Sequence, residues 1–245
     1  MSALSLRILA SLCMLIDHLG FLFPQYPLLR YIGRLAFPIY IFLLVNGYRH
    51  SSSRLRYALR LGLFALISQV PFTLFCGYES YFTKGNVFVT LLVALLVLWL
   101  TDTLARQKKL RFLAPLPALL AYGLYYLGWL SSDYGQIGFL LALSFFYLED
   151  RRLLCLVSCF VSVYHSLFLG YAVQLKELLL GRGAVFAPPK PWAQAQAFSL
   201  LALLPIFLYN GKKGKAPASP LGKRILQWGF YLFYPLHLAI LYLLA

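Results

Sequence analysis

The chain has 245 residues, of which 61% are hydrophobic and 12% charged, and it carries a formal net charge of +15. That balance excludes an ordinary soluble domain, because too few polar side chains remain to cover a water-facing surface. The chain is therefore expected to be all-α, a polytopic membrane helix bundle with one integral-membrane domain spanning 1–245.

Taken in chain order, the apolar segments are Leu6–Phe23, Leu35–Tyr48, Tyr57–Phe75, Asn86–Ala105, Phe112–Leu130, Tyr134–Leu148, Leu153–Tyr171, Ala193–Tyr209 and Trp228–Leu244. Each approaches the roughly 20 residues needed to cross a bilayer core of about 30 Å. A sliding hydropathy reading thus gives about nine transmembrane helices. The sixth segment is short enough to be re-entrant, and Gln174–Leu180 either extends the seventh or lies at the interface, so eight to ten crossings fit. The first segment sits where a signal peptide would, but it lacks a small-residue cleavage site and carries Asp17 and His18. It is expected to be retained. Gly211–Pro220 reads as a Gly/Lys/Pro linker that lets the last helix pack as a separate unit.

The positive charge is unevenly distributed. Arg7, Arg49, Arg54, Arg56, Arg60, Arg106, Lys108, Lys109, Arg111, Arg151, Arg152, Lys212, Lys213, Lys215, Lys223 and Arg224 all fall on one side of the expected topology, most of the 22 cationic residues. The positive-inside rule then places the N-terminus in the cytoplasm. Contact with the lipid bilayer and its anionic headgroups accounts for this excess, and no nucleic-acid partner is expected. Cys13, Cys76, Cys155 and Cys159 fall within spans and read as packing residues. No phosphate loop, nucleophile elbow or zinc spacing is present, and no metal is expected.

Ionisable residues inside the apolar segments are the functional candidates, because a charge facing lipid costs a few kcal/mol and belongs in a protein interior or watery cavity. Asp17 and His18 form such a pair. Arg7 and His18 lie eleven positions apart, about three helical turns plus roughly 20°, so they share one face at a separation of roughly 16 Å along the axis. With the N-terminus inside, His18 falls in the outer half of the membrane. Ser68, Gln69, Asn86, Asp133 and His165 are expected at the same depth, with Arg30 and Arg34 in the first external loop. His237 lies near mid-membrane beside Pro235, which loosens the local hydrogen-bond ladder. Asn86 and Asp133 read equally well as helix caps, and Asp17 as a salt-bridge partner of Arg30 or Arg34.

Several segments together resemble the TraX family. They are Leu15-Ile16-Asp17-His18-Leu19-Gly20, Gly33-Arg34-Leu35-Ala36-Phe37-Pro38-Ile39-Tyr40, Asn46-Gly47-Tyr48 and Ile67-Ser68-Gln69-Val70-Pro71-Phe72. The match continues through Gly85-Asn86-Val87, Ser132-Asp133-Tyr134-Gly135, Leu208-Tyr209-Asn210-Gly211-Lys212 and Phe233-Tyr234-Pro235-Leu236-His237-Leu238. The family is named for acetylation of the N-terminus of conjugative pilin, and it looks like a compact relative of the membrane acyltransferase-three superfamily. The resemblance implies a bacterial inner-membrane, multi-pass acyltransferase with acetyl-CoA as the cytoplasmic acyl donor. It implies a catalytic His18, with Arg7 ten intervening residues before it. Where relatives carry a His-Thr pair, this chain has His50-Ser51.

The chemistry agrees with that implication. Acetyl transfer from a thioester needs a base to take the acceptor's proton, and histidine is suited to this near neutral pH. His18 either activates the acceptor or takes the acetyl group itself. Arg7, Arg56 and Arg60 offer guanidinium groups to the phosphates of acyl-CoA, and Ser68, Gln69 or Asn86 offer donors to the carbonyl oxygen. The expected acceptor is an extracytoplasmic amine or hydroxyl, on a protein N-terminus or an envelope glycan. The same cavity also suits a small proton-coupled transporter or flippase, and a non-catalytic membrane assembly factor is the third reading.

Overall fold

The computed structural model describes residues 1–181, 195–215, 217 and 219–245, with the backbone alone at 166–170, 172–173 and 220. Among the described residues the chain is helical throughout its regular structure: α1 (Ala3–Leu22), α2 (Pro27–Gly33), α3 (Ala36–His50), α4 (Arg54–Cys76), α5 (Val87–Arg106), α6 (Leu116–Tyr126), α7 (Gln136–Leu148) and α8 (Arg152–Leu179). After these come α9 (Leu203–Phe207), which continues a 3-10 turn over Phe198–Ala202, and α10 (Pro220–Leu244). Five helical stretches are long and apolar enough to cross a membrane: α1, Pro27–His50, α4, α5 and Leu221–Leu244. Their outward faces are apolar as well, with Leu66 76% and Leu243 80% exposed, a surface that suits lipid and not water.

Local sequence explains the boundaries. Ser2, Ser53, Asn86 and Ser219 each cap a helix by accepting a backbone amide, and Gly77, at φ 68, closes α4 in the left-handed conformation. The second crossing starts earlier than expected: α2 begins at Pro27 and runs almost directly into α3. The expected fifth span, Phe112–Leu130, shortens to the 11 residues of α6. Pro115 stands at its N-cap with Pro117 in its first turn, where no preceding helix can continue through them, and Gly128 at φ 75 ends it. Gln174–Leu179 extends α8, settling one of the alternatives.

The central helix is α3, where Phe37, Ile39, Ile41, Phe42, Leu44, Val45 and Tyr48 are all buried. It packs against α1, α5 and α7, while α4 is held between α5 and α10. A helix apolar on every face belongs at the centre of a bundle. The last helix is not a separate unit, because α10 packs on α4 and α1. The start of the expected linker is also paired with the N-terminus: Ala3 and Leu4 donate to the Lys212 and Lys213 carbonyls at 2.9 and 3.1 Å, and Asn210 donates to Met1.

One ionic cluster fastens α3, α4 and α5 together. Buried Asp102 accepts from Tyr48 Oη at 2.6 Å and Arg106 Nε at 2.9 Å, with Arg54 Nη2 at 3.6 Å. Arg49 caps the end of α7 through the Phe145 and Phe146 carbonyls and pairs with Glu149. Some of the positive charge is thus structural. Asp102→Ala leaves a buried phenol and two guanidinium groups without their shared acceptor, a loss of about 3 kcal/mol. A melting temperature lowered by about 6–12 °C in detergent is the expected result.

Candidate functional site

His18 stands on α1 and faces α4 and α10. Its Nδ1 lies 2.8 Å from His237 Nε2, and the ring centroids are 4.9 Å apart. Phe75 of α4 meets the His18 ring edge-on at 5.3 Å, and Tyr234 lies at 6.2 Å. His237 is buried, its Nδ1 2.7 Å from the Phe233 carbonyl and its ring stacked on Phe233 at 4.7 Å. A histidine pair thus joins the first and last helices, although the two residues come from opposite ends of the chain.

Asp17 follows a different course. One position along a helix rotates a side chain by about 100°, so Asp17 faces α2 while His18 faces α4. Its carboxylate accepts from Arg30 Nη1 at 2.7 Å and Arg34 Nε at 3.1 Å, with Arg34 Nη2 on the same oxygen as Arg30. Arg30 also reaches the Asp17 carbonyl at 3.0 Å. The close approach of α1 and α2 that permits this depends on Gly33, where a Cβ would stand 2.3 Å from the Asp17 side chain. Arg34 lies over the Tyr134 ring at 5.7 Å, and Lys84 pairs with Asp133 at 3.1 Å. Asp17, Arg30, Arg34, Lys84, Asp133 and Tyr134 therefore form a polar layer toward the end of α1 remote from Met1.

Gln69 and Asn86 form a closed network. Gln69 Nε2 donates to the Tyr81 and Lys84 carbonyls at 2.9 and 2.8 Å. Asn86 Nδ2 donates to the Ala65 carbonyl at 2.7 Å and to Gln69 Oε1 at 2.8 Å, while Asn86 Oδ1 caps α5 through the Phe88 amide. Their amide hydrogens are committed to loop and helix geometry, so neither is poised to polarise a carbonyl. Ser68 differs: it is fully buried, and its hydroxyl has no hydrogen-bond partner among the described residues. A buried hydroxyl left unpaired costs roughly 1–3 kcal/mol, which makes Ser68 the one of the three with a donor to offer.

At the other end of α1, Arg7 projects over the Phe230 ring of α10, 6.0 Å from its centroid. Arg60 of α4 lies over the Tyr57 ring at 5.7 Å. Phe64, one turn after Arg60, stacks on Tyr231 at 5.0 Å, next to the Phe230 that Arg7 covers, so both arginines stand near the same stretch of α10. The Arg60 Nε is buried without a partner among the described residues. Arg56, one turn earlier, is exposed.

His165 does not join the His18 site. Its Nδ1 bonds the Ser162 carbonyl at 2.8 Å, its ring meets Tyr122, and it lines a separate groove of about 480 Å³ between α6, α7 and α8. The expected depth was shared, but α8 lies on the far side of α7 from α1. Sequence reasoning passed over Tyr234 and Asp102. The signal for Asp102 was Arg106 one turn later on the same helix face. Pro188-Pro189-Lys190-Pro191 lies outside the described residues.

Comparison with known proteins covers the whole chain. The family described as TraX protein matches residues 2–245. A probable fimbrial assembly protein FimC, serogroup H1, from Dichelobacter nodosus is 30% identical over 98% of this chain and 94% of its own length. An uncharacterized protein of Rickettsia prowazekii (strain Madrid E) is 23% identical over 70% of this chain and 67% of its own length. No solved structure is significantly similar to the chain. The match from one end of the chain to the other, together with the relative from Dichelobacter, shows that this protein belongs to the TraX family.

Proposed function

We propose that the protein is a membrane acetyltransferase that passes an acetyl group from cytoplasmic acetyl-CoA to an amine or hydroxyl acceptor at the external face. In this reading it crosses a bacterial inner membrane about nine times, with the N-terminus in the cytoplasm. The observation that carries the reading is the layout of α1, with Arg7 and Arg60 near the same stretch of α10 at one end and His18 enclosed by α4 and α10 further along. The separation of roughly 16 Å along the axis is the scale of an extended pantetheine arm.

The CoA phosphates bind Arg7 and Arg60, whose unpaired Nε supplies a directed donor. Arg56, exposed one turn away, contributes charge to the same end. The thioester reaches His18, which takes the proton from the acceptor as the nucleophile attacks the acetyl carbon. The carbon–sulfur bond then breaks, and the CoA thiolate recovers that proton. Ser68 is the hydroxyl available to the carbonyl oxygen as negative charge develops on it. The external polar layer receives the acceptor. The name of the Dichelobacter relative supports an acceptor in fimbrial assembly, such as a pilin N-terminus.

Arg7→Ala and Arg60→Ala are each expected to weaken acetyl-CoA binding about tenfold, equivalent to about 1.4 kcal/mol. Binding of tritiated acetyl-CoA to protein in nanodiscs measures this, and unchanged affinity in both variants overturns the phosphate site. The relative's name also favours a second reading, a non-catalytic assembly factor. Normal fimbrial assembly by a His18→Ala strain is the result that reading requires.

A further inference from the structure

We propose that His237 is a positioning residue for His18: a directed N–H···N hydrogen bond between the two rings fixes which nitrogen of His18 is the base and shares the proton that it collects. The catalytic consequence rests on the transferase reading above, whereas the pairing rests on geometry alone.

The direction of the bond follows from its far end. His237 Nδ1 lies 2.7 Å from the Phe233 carbonyl, and a carbonyl only accepts, so Nδ1 carries the hydrogen. In the neutral ring His237 Nε2 is then an acceptor. His18 Nδ1, 2.8 Å away, must supply the hydrogen, and the lone pair of His18 is left on Nε2. Stacking on Phe233 and the edge of Tyr234 hold the plane of His237. Asp17 has no part in this arrangement, because Arg30 and Arg34 occupy its carboxylate.

The consequence for transfer is specific. When the acceptor's O–H or N–H bond breaks, its proton goes to His18 Nε2 and its electron pair forms the new bond to the acetyl carbon. The Nδ1–H of the resulting imidazolium then makes a charge-assisted bond to His237 Nε2, stronger than the neutral one it replaces. When the carbon–sulfur bond breaks, the proton leaves Nε2 for the thiolate and the pair returns to its starting state. A neutral imidazole thus fills the place that a carboxylate takes in other triads, orienting the base and stabilising its charged form without bringing a second charge into the membrane.

The test combines a spectroscopic and a kinetic readout on the full chain in nanodiscs. With ¹⁵N-labelled histidine, a through-bond ¹⁵N–¹⁵N correlation is expected between His18 Nδ1 and His237 Nε2, retained in His165→Phe and lost in His237→Phe. His237→Phe preserves ring shape and should lower kcat for acetyl transfer about 100-fold with KM for acetyl-CoA within about threefold. His237→Gln places an amide oxygen near the lost Nε2 and should recover at least tenfold of that loss. Absence of the correlation in folded wild-type protein, or wild-type kcat in His237→Phe, overturns the proposal. Should wild type show the correlation yet transfer no acetyl group, the pairing stands and the transferase reading falls.

Discussion

His18→Ala is expected to lower the rate of acetyl transfer by about 10³-fold or more while acetyl-CoA still binds. The two effects separate because the groups lie at different depths. In the proposed reading phosphate recognition belongs to Arg7 and Arg60, whereas His18 is enclosed by Phe75, Tyr234 and His237. Removing the imidazole takes away the proton acceptor and leaves the phosphate site untouched. Release of free CoA, followed with a thiol reagent beside equilibrium binding of acetyl-CoA, measures both. Loss of binding in parallel with loss of turnover would mean that His18 holds the fold together and does not perform the transfer.

Gly33→Ala is expected to have the largest effect on stability. A Cβ at that position would stand 2.3 Å from both Cβ and Oδ1 of Asp17 and 2.5 Å from its Cα, contacts that rotamer changes cannot relieve because one of them is backbone. Helix α2 must therefore move away from α1, taking Arg30 with it and pulling on Arg34. The carboxylate left behind is buried, with 7% of Asp17 exposed. Breaking a buried ion pair on one side costs about 3–5 kcal/mol. The melting temperature in detergent should fall by about 6–20 °C. Gly123→Ala is the matched control, since nothing lies within 4 Å of its Cβ position and alanine favours a helix. A melting temperature for Gly33→Ala equal to that of Gly123→Ala would contradict the close approach.

The helices were legible where a long run was predominantly apolar, as in α1, α4, α5 and the end of α10. Hydropathy missed α2 because Arg30 and Arg34 depress the local average, and their charge is offset only when α2 folds onto Asp17. It overextended α6 because leucines count as apolar whatever the backbone does, while the prolines at its start and Gly128 after it interrupt the helix. The site was legible in part. An ionisable pair in an apolar segment singled out Asp17 and His18, and helical periodicity aligned Arg7 with His18. Periodicity cannot say which neighbour a face meets. That His18 pairs with His237 while Asp17 pairs with two arginines depends on where α10 and α2 pack. Depth alone also grouped His165 with His18, although α8 carries it to another groove. Gln69 and Asn86 were read as cavity residues, but their amides are consumed by cap and loop contacts that no spacing rule reveals.

The most direct test of the central claim uses inside-out membrane vesicles holding the wild-type protein or His18→Ala, with radiolabelled acetyl-CoA added to the exposed cytoplasmic face. The account predicts that label crosses into material protected from external protease and hydrolase by the vesicle, in wild-type vesicles and not in His18→Ala vesicles. Equal protected label in the two, or none in wild type while acetyl-CoA binding is intact, would contradict it.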